Sequence, residues 1–113
     1  MLFGQDEILL AALAVGAQGA VGSTYNYAAP LYLRMIEQFR AGNLAEAQRC
    51  ARKAVALVDV LMEFGAMAAG KAIMSLAGVD CGPVRAPLAR ITPARQQELF
   101  ERIAKLEVVE VNV

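Results

Sequence analysis

Two short clusters hold most of the side chains able to do chemistry. The first is Gly4-Gln5-Asp6-Glu7, an adjacent pair of carboxylates just past the apolar Leu2-Phe3. The second is Gly22-Ser23-Thr24-Tyr25-Asn26-Tyr27, four hydroxyls and an amide directly after Gly19-Ala20-Val21. Small and branched residues suit a short buried strand, and a glycine lets the backbone turn tightly after it, so polar groups placed there are well sited to hold a ligand. A simpler reading stays open for each cluster. The hydroxyls suit capping of backbone groups in a glycine-rich turn, and Asp6 and Glu7 suit the first turn of a helix, where exposed amide hydrogens favour negative charge.

Other reactive side chains are sparse. Histidine is absent from all 113 residues, which removes the commonest general base at neutral pH. Lys71 lies among Ala68, Ala72, Ile73 and Met74, neighbours able to lower an amine pKa and so to make a nucleophile. On such a helix a lysine ordinarily extends its stem and keeps its charge in water, which is the preferred reading. Cys50 and Cys81 lack metal-ligand spacing and read as two core thiols in a reducing cytoplasm, with neither a disulfide nor a metal site.

The elements that must position these groups follow from periodicity. Met1-Leu2-Phe3 reads as the end of a buried strand that Gly4 terminates, with no earlier strand to pair it, as in a chain that begins inside a fold. Leu9, Leu10, Leu13 and Ala14 predict a helix from Asp6 to about Val15, stopped by Gly16, before the short strand ending near Val21 or Gly22. Strand, helix, strand is the repeating unit of a parallel α/β fold, so both polar clusters fall at the carboxyl ends of neighbouring strands. That is the face on which an α/β barrel assembles its active site. Pro30 is expected at the first position of a helix running to Ala41, with Gly42 as its stop.

Asn43 and Glu46 form a capping-box pattern for a longer helix with the stripe Leu44, Ala47, Ala51, Ala54, Val58 and Leu61. A helix-compatible run continues from Gly65 to Leu76, and Gly78 to Leu88, with two prolines and two glycines, reads as a crossing loop. Thr92-Pro93 starts a last helix with Leu99, Ile103 and Leu106 inward and Glu98/Arg102 and Glu101/Lys105 pairs four apart. Val108 to Val113 is strand-like in propensity.

Composition narrows the function classes. Eleven basic residues balance eleven acidic ones, so neither nucleic acid nor an anionic membrane surface has electrostatic support as a partner. Apolar residues make up 58% of this short chain, more than one small core needs, which points to burial against partner subunits or against more of a larger domain. No run approaches the roughly 20 apolar residues of a membrane-spanning helix.

Four blocks in order, Leu2-Phe3-Gly4-Gln5-Asp6-Glu7, Gly19 to Asn26 continuing into Ala29-Pro30, Gly70-Lys71-Ala72-Ile73-Met74, and Gly82-Pro83-Val84-Arg85-Ala86-Pro87-Leu88, give the chain its resemblance. It resembles the sialate lyase and dihydrodipicolinate synthase family, and the Gly-Ser-Thr-Tyr-Asn block favours the N-acetylneuraminate lyase branch. The resemblance implies an α/β fold: the carboxyl-terminal portion of a TIM barrel followed by a helical extension, mostly helical in this chain. Residues 1–41 would be the last part of the barrel, from the strand 7 remnant through helix 8, and residues 42–113 the extension.

The implied activity is reversible cleavage of N-acetylneuraminate to N-acetyl-D-mannosamine and pyruvate, in the cytoplasm and without a cofactor. A barrel lysine forms a Schiff base with the keto carbon and a tyrosine helps move protons. Both belong to the barrel segment preceding Met1, so neither Lys71 nor Tyr25 is assigned to those roles. The substrate-binding residues that carry over are Gly4, through its carbonyl, Asp6, Glu7 and Ser23; no residue here is assigned as catalytic. Arg85 is read as a loop or interface anchor. The complete enzyme would be a homo-oligomer, and the chain would need the amino-terminal barrel segment as its partner. The alternatives are an inactive packing or assembly module, or part of a lyase for another 2-keto-3-deoxy acid.

Overall fold

Leu2–Phe3 (β1) pairs in parallel with Gly19–Ala20 (β2), Leu2 opposite Gly19 and Phe3 opposite Ala20. The computed structural model describes residues 1–109. Between the strands, a single 3-10 turn, Asp6–Ile8, leads into helix α1, Leu9–Ala14. Helices α2 (Tyr25–Arg40), α3 (Leu44–Phe64), α4 (Ala66–Leu76) and α5 (Pro93–Leu106) follow. A two-stranded parallel sheet that does not close, carrying strand-helix-strand-helix and then three more helices, is the carboxyl-terminal portion of an α/β barrel with its helical extension. Two compact units divide the chain, Met1–Ala56 and Leu57–Val113.

In the first unit, Leu9 and Ala12 of α1 and Tyr27, Leu31, Tyr32 and Met35 of α2 are buried, and α1 packs on α2. Gly16 ends α1 at φ +91° and Gly42 follows α2 at φ +78°, left-handed positions that suit glycine. Helix α2 starts at Tyr25, earlier than expected, but it is made of two pieces, and Pro30 stands in the first turn of the second, close to the position expected for it. Ala28 leaves helical geometry (φ −128°, ψ 24°), so two helical pieces meet at a kink there. A proline ring crowds the carbonyl four residues back, and the kink between them relieves that clash.

The Asn43 cap forms in half: Glu46 N donates to Asn43 Oδ1 (3.4 Å), but the Glu46 carboxylate turns away to Arg34 Nε (2.9 Å) and an Arg49 terminal nitrogen (2.6 Å). Hydrogen bonds from Arg49 and then Arg34 hold the Glu46 carboxyl below its ordinary range. The buried face of α3 is Ala47, Cys50, Ala54, Leu57, Leu61 and Phe64, spaced three and four apart, with Val60 buried beside them. It is rotated from the expected stripe, since Leu44 is exposed and Ala51 and Val58 are half-buried.

In the second unit, Gly65 at φ +87° breaks α3 from α4, and α4 packs on α5 around Ala69, Ile73, Leu99 and Ile103. Residues 78–88 are loop, as predicted, and α5 begins at Pro93, with Thr92 Oγ1 accepting from Arg95 N (3.3 Å). The expected pairs on α5 are replaced. Arg95 binds Glu98 and Arg102 reaches Glu63 of α3, each at 2.6 Å, with both guanidinium groups over the Phe64 ring. Cys50 is buried as expected, whereas Cys81 is exposed on the loop, because its prolines and glycines keep that stretch at the surface. Val108 is buried outside any strand, and the rest of the strand-like tail from Glu110 lies outside the described residues.

Met35 has no exposed surface. Met35→Ala should therefore lower the unfolding free energy by about 2–5 kcal/mol, measured by urea denaturation, because the vacated volume cannot fully collapse.

Candidate functional site

Parallel pairing decides where the two polar clusters go. Val21 N donates to Phe3 O (2.8 Å), carrying the ladder one step past β2. Gly4 then lies beside the Val21 carbonyl, 3.8 Å from where a Cβ on Gly4 would stand. Both chains leave the sheet in the same direction, so Gly4–Glu7 and Gly22–Thr24 emerge side by side at the carboxyl ends of the strands.

Asp6 ties these loops together. It is 8% exposed, and its Oδ2 accepts from Thr24 N (3.0 Å) and from Thr24 Oγ1 (2.5 Å), across 18 residues of sequence. Thr24, 3% exposed, has a second contact from Oγ1 to the Tyr32 hydroxyl (2.8 Å). A threonine has one hydroxyl proton; the shorter contact claims it for the carboxylate, so Tyr32 donates to Thr24. The chain of donors thus runs from Tyr32 to Thr24 to Asp6. Asp6 and Glu7 do lie in the first turn of the 3-10 helix, as the capping reading expects, but no side-chain cap bond forms at its start and the Asp6 carboxylate bonds to Thr24.

The other expected ligand residues surround this bridge. Gly4 is exposed. Glu7 is half-buried and accepts from Gln5 Nε2 (2.5 Å). Ser23 is exposed beside Thr24, and its carbonyl accepts from Asn26 Nδ2 (2.9 Å) and Asn26 N (3.3 Å). All four residues therefore lie on one pair of adjacent loops.

Three tyrosines back the bridge. The Tyr25 and Tyr32 rings meet edge to face, with centroids 4.6 Å apart and planes at 76°. Burial raises the Tyr32 phenol to about 12, and the Asp6 charge adds to the rise. Burial likewise pushes Tyr25 and Tyr27 well above the ordinary tyrosine value, reinforced at Tyr25 by the Asp6 charge and at Tyr27 by Tyr32 and Asp6. The Tyr25 hydroxyl is buried and stands in the field of Asp6.

Lys71 lies in the second unit, on a cleft of about 540 Å³ with Ser75, Asp80, Gly82 and Gln96. Polar groups there serve the local fold: Lys71 Nζ donates to Pro83 O (3.2 Å), Ser75 Oγ to Ala72 O (2.6 Å) and Gly82 N to Asp80 Oδ1 (2.8 Å). Lys71 thus anchors the proline loop, in keeping with the surface-lysine reading. Sequence reasoning named Thr24 only as one hydroxyl among four and assigned nothing to Tyr32. The available signal was a threonine placed just past a glycine turn at the start of a helix.

The model of the dihydrodipicolinate synthetase family matches residues 1–106. The chain belongs to this family. Among curated family relatives, the N-acetylneuraminate lyase of Rhizobium meliloti (strain 1021) is 37% identical over 101 residues, covering 89% of this chain and 34% of that protein. The human N-acetylneuraminate lyase is 44% identical over 93 residues, covering 79% and 28%. Among solved structures, Proteus mirabilis N-acetylneuraminate lyase superposes with a TM-score of 0.92 at 44% identity, covering 96% of this chain and 37% of that one. The enzyme from Aliivibrio salmonicida gives 0.93 at 39%, covering 96% and 36%. The chain spans about a third of the length of these family members.

Burial of Tyr32 has a pH consequence. Its folded pKa, about 12, lies above the ordinary 10.0, so the unfolded chain loses this proton first. The stabilisation is complete below pH 10 and disappears as pH rises towards 12. Tyr32→Phe should flatten that part of the stability profile, measured by urea denaturation from pH 9 to 12.

Proposed function

We propose that this chain supplies the sugar-reading loops of a Schiff-base lyase that reversibly cleaves N-acetylneuraminate to N-acetyl-D-mannosamine and pyruvate. Residues 1–41 act as the last part of its barrel and residues 42–113 as its helical extension. The observation carrying this reading is the Asp6–Thr24 bridge, which joins two hydroxyl- and carboxylate-bearing loops at the carboxyl ends of parallel strands. Similarity to N-acetylneuraminate lyases over nearly the whole chain supports it.

In this reading the reactive lysine and the proton-transferring tyrosine come from polypeptide outside these 113 residues. The lysine amine condenses with the keto carbon, releasing water; the tyrosine takes the proton of the hydroxyl beside the bond to be broken, that carbon leaves as the aldehyde of N-acetyl-D-mannosamine, and the iminium accepts the electron pair to become an enamine. Protonation and hydrolysis of the enamine then release pyruvate and return the lysine. The residues here choose the substrate. The Gly4 carbonyl, the carboxylates of Asp6 and Glu7 and the Ser23 hydroxyl meet the hydroxyl-bearing tail. A shorter keto acid forgoes these hydrogen bonds and so binds less tightly. The complete enzyme works as a homo-oligomer in the cytoplasm.

The test assembles this chain with the amino-terminal segment of the Proteus mirabilis relative, as one polypeptide, and incubates it with pyruvate and borohydride. One lysine should be labelled by mass spectrometry, and N-acetylneuraminate should be cleaved in preference to simpler 2-keto-3-deoxy acids. A folded assembly that takes no label would contradict the lyase reading.

A further inference from the structure

Gly22 occupies a position that no other residue type can share with Asp6 as it stands. A Cβ on Gly22 would lie 1.7 Å from Asp6 Oδ1, 2.4 Å from Cγ and 2.6 Å from Oδ2. Gly22 is not among the positive-φ glycines, so the need here is for space and not for a left-handed backbone. The carboxylate fills the volume that a side chain would take. It is held there by both Thr24 donors, and Thr24 can give its single hydroxyl proton to Asp6 because Tyr32 supplies the proton for their own contact.

From this geometry we propose that Gly22 and Thr24 are positioning residues for substrate selection. They commit Asp6 Oδ2 to bracing the two loops and fix the carboxylate over Gly22, which sets the spacing of Glu7 and Ser23 on the rim. The proposal rests on the lyase reading and adds to it two residues with no direct role towards the sugar. Loss of the Thr24 hydroxyl leaves the carboxylate with only the backbone donor, free to swing. Gain of a methyl at position 22 forces the carboxylate out of its seat, and because a carboxylate is the movable partner, the loops can remain folded while misplaced.

The test uses the assembled enzyme described above and compares Gly22→Ala, Thr24→Val and Thr24→Ser. Each of the first two should raise KM for N-acetylneuraminate about tenfold or more, the scale of one lost hydrogen bond to a charged group. Their kcat should stay within about twofold and pyruvate trapping by borohydride should be unchanged, since the Schiff-base chemistry lies elsewhere. Thr24→Ser, which keeps both donors, should restore KM. Unchanged KM in Gly22→Ala and Thr24→Val, with trapping intact, would overturn the proposal. So would a parallel loss of trapping and cleavage in both, which marks a purely structural role. If the unsubstituted assembly fails to trap pyruvate, the lyase reading itself falls and takes this proposal with it.

Discussion

A buried carboxylate must be paired, and in this fold Asp6 is paired with a residue 18 positions away. Two strands of two residues each form too short a ladder to hold two loops in register by backbone bonds alone. The Asp6–Thr24 contact supplies the missing constraint: a charge-assisted hydrogen bond and a backbone donor converge on one oxygen, in a setting with little water to compete. Removing either partner would leave the other buried and unsatisfied, which is costlier than never having had the pair. The neighbouring structure answers to this contact. Gly22 stays without a side chain, Tyr32 turns its hydroxyl to Thr24, and the tyrosine rings shut out solvent behind them.

Helix packing carries the site without taking part in it. Tyr32 contributes its hydroxyl because α2 continues past Pro30, and α2 continues because Ala28 absorbs the proline in a kink. Tyr27, Leu31 and Met35 then bury the helix next to α1, whose first residues follow the turn bearing Asp6 and Glu7. The two polar loops are in this way fastened at both ends, by short strands before them and packed helices after them. Such an arrangement fits a role in choosing a ligand, where small displacements change affinity.

Much of the architecture was legible in the sequence because local rules decided it. Thr92-Pro93 marked the start of α5, Gly16 and Gly42 marked stops, and the two short apolar strands with a helix between them gave a parallel pair. The short piece of α2 from Tyr25 to the Ala28 kink was missed because Pro30 is a strong local start signal, and it marks the start of only the second piece. The α5 ion pairs were misread for a related reason. Exposed charges four apart contribute only a few tenths of a kcal/mol, so Arg102 is easily drawn to Glu63 and the Phe64 ring. Within the candidate site, residue types and loop placement could be read from spacing, but the Asp6–Thr24–Tyr32 connection could not. It depends on strand register and on the rotation of α2, and neither leaves a periodic trace.

The contact between Asp6 and Thr24 can be measured directly by a double-mutant cycle on unfolding free energy, using Asp6→Ala, Thr24→Val and the double variant at neutral pH. The account predicts a coupling energy of about 1–3 kcal/mol, because each single change takes from the other buried group its charge-assisted partner. Additivity within about 0.5 kcal/mol would contradict it, for the two loops would then be held in place by something other than this bond.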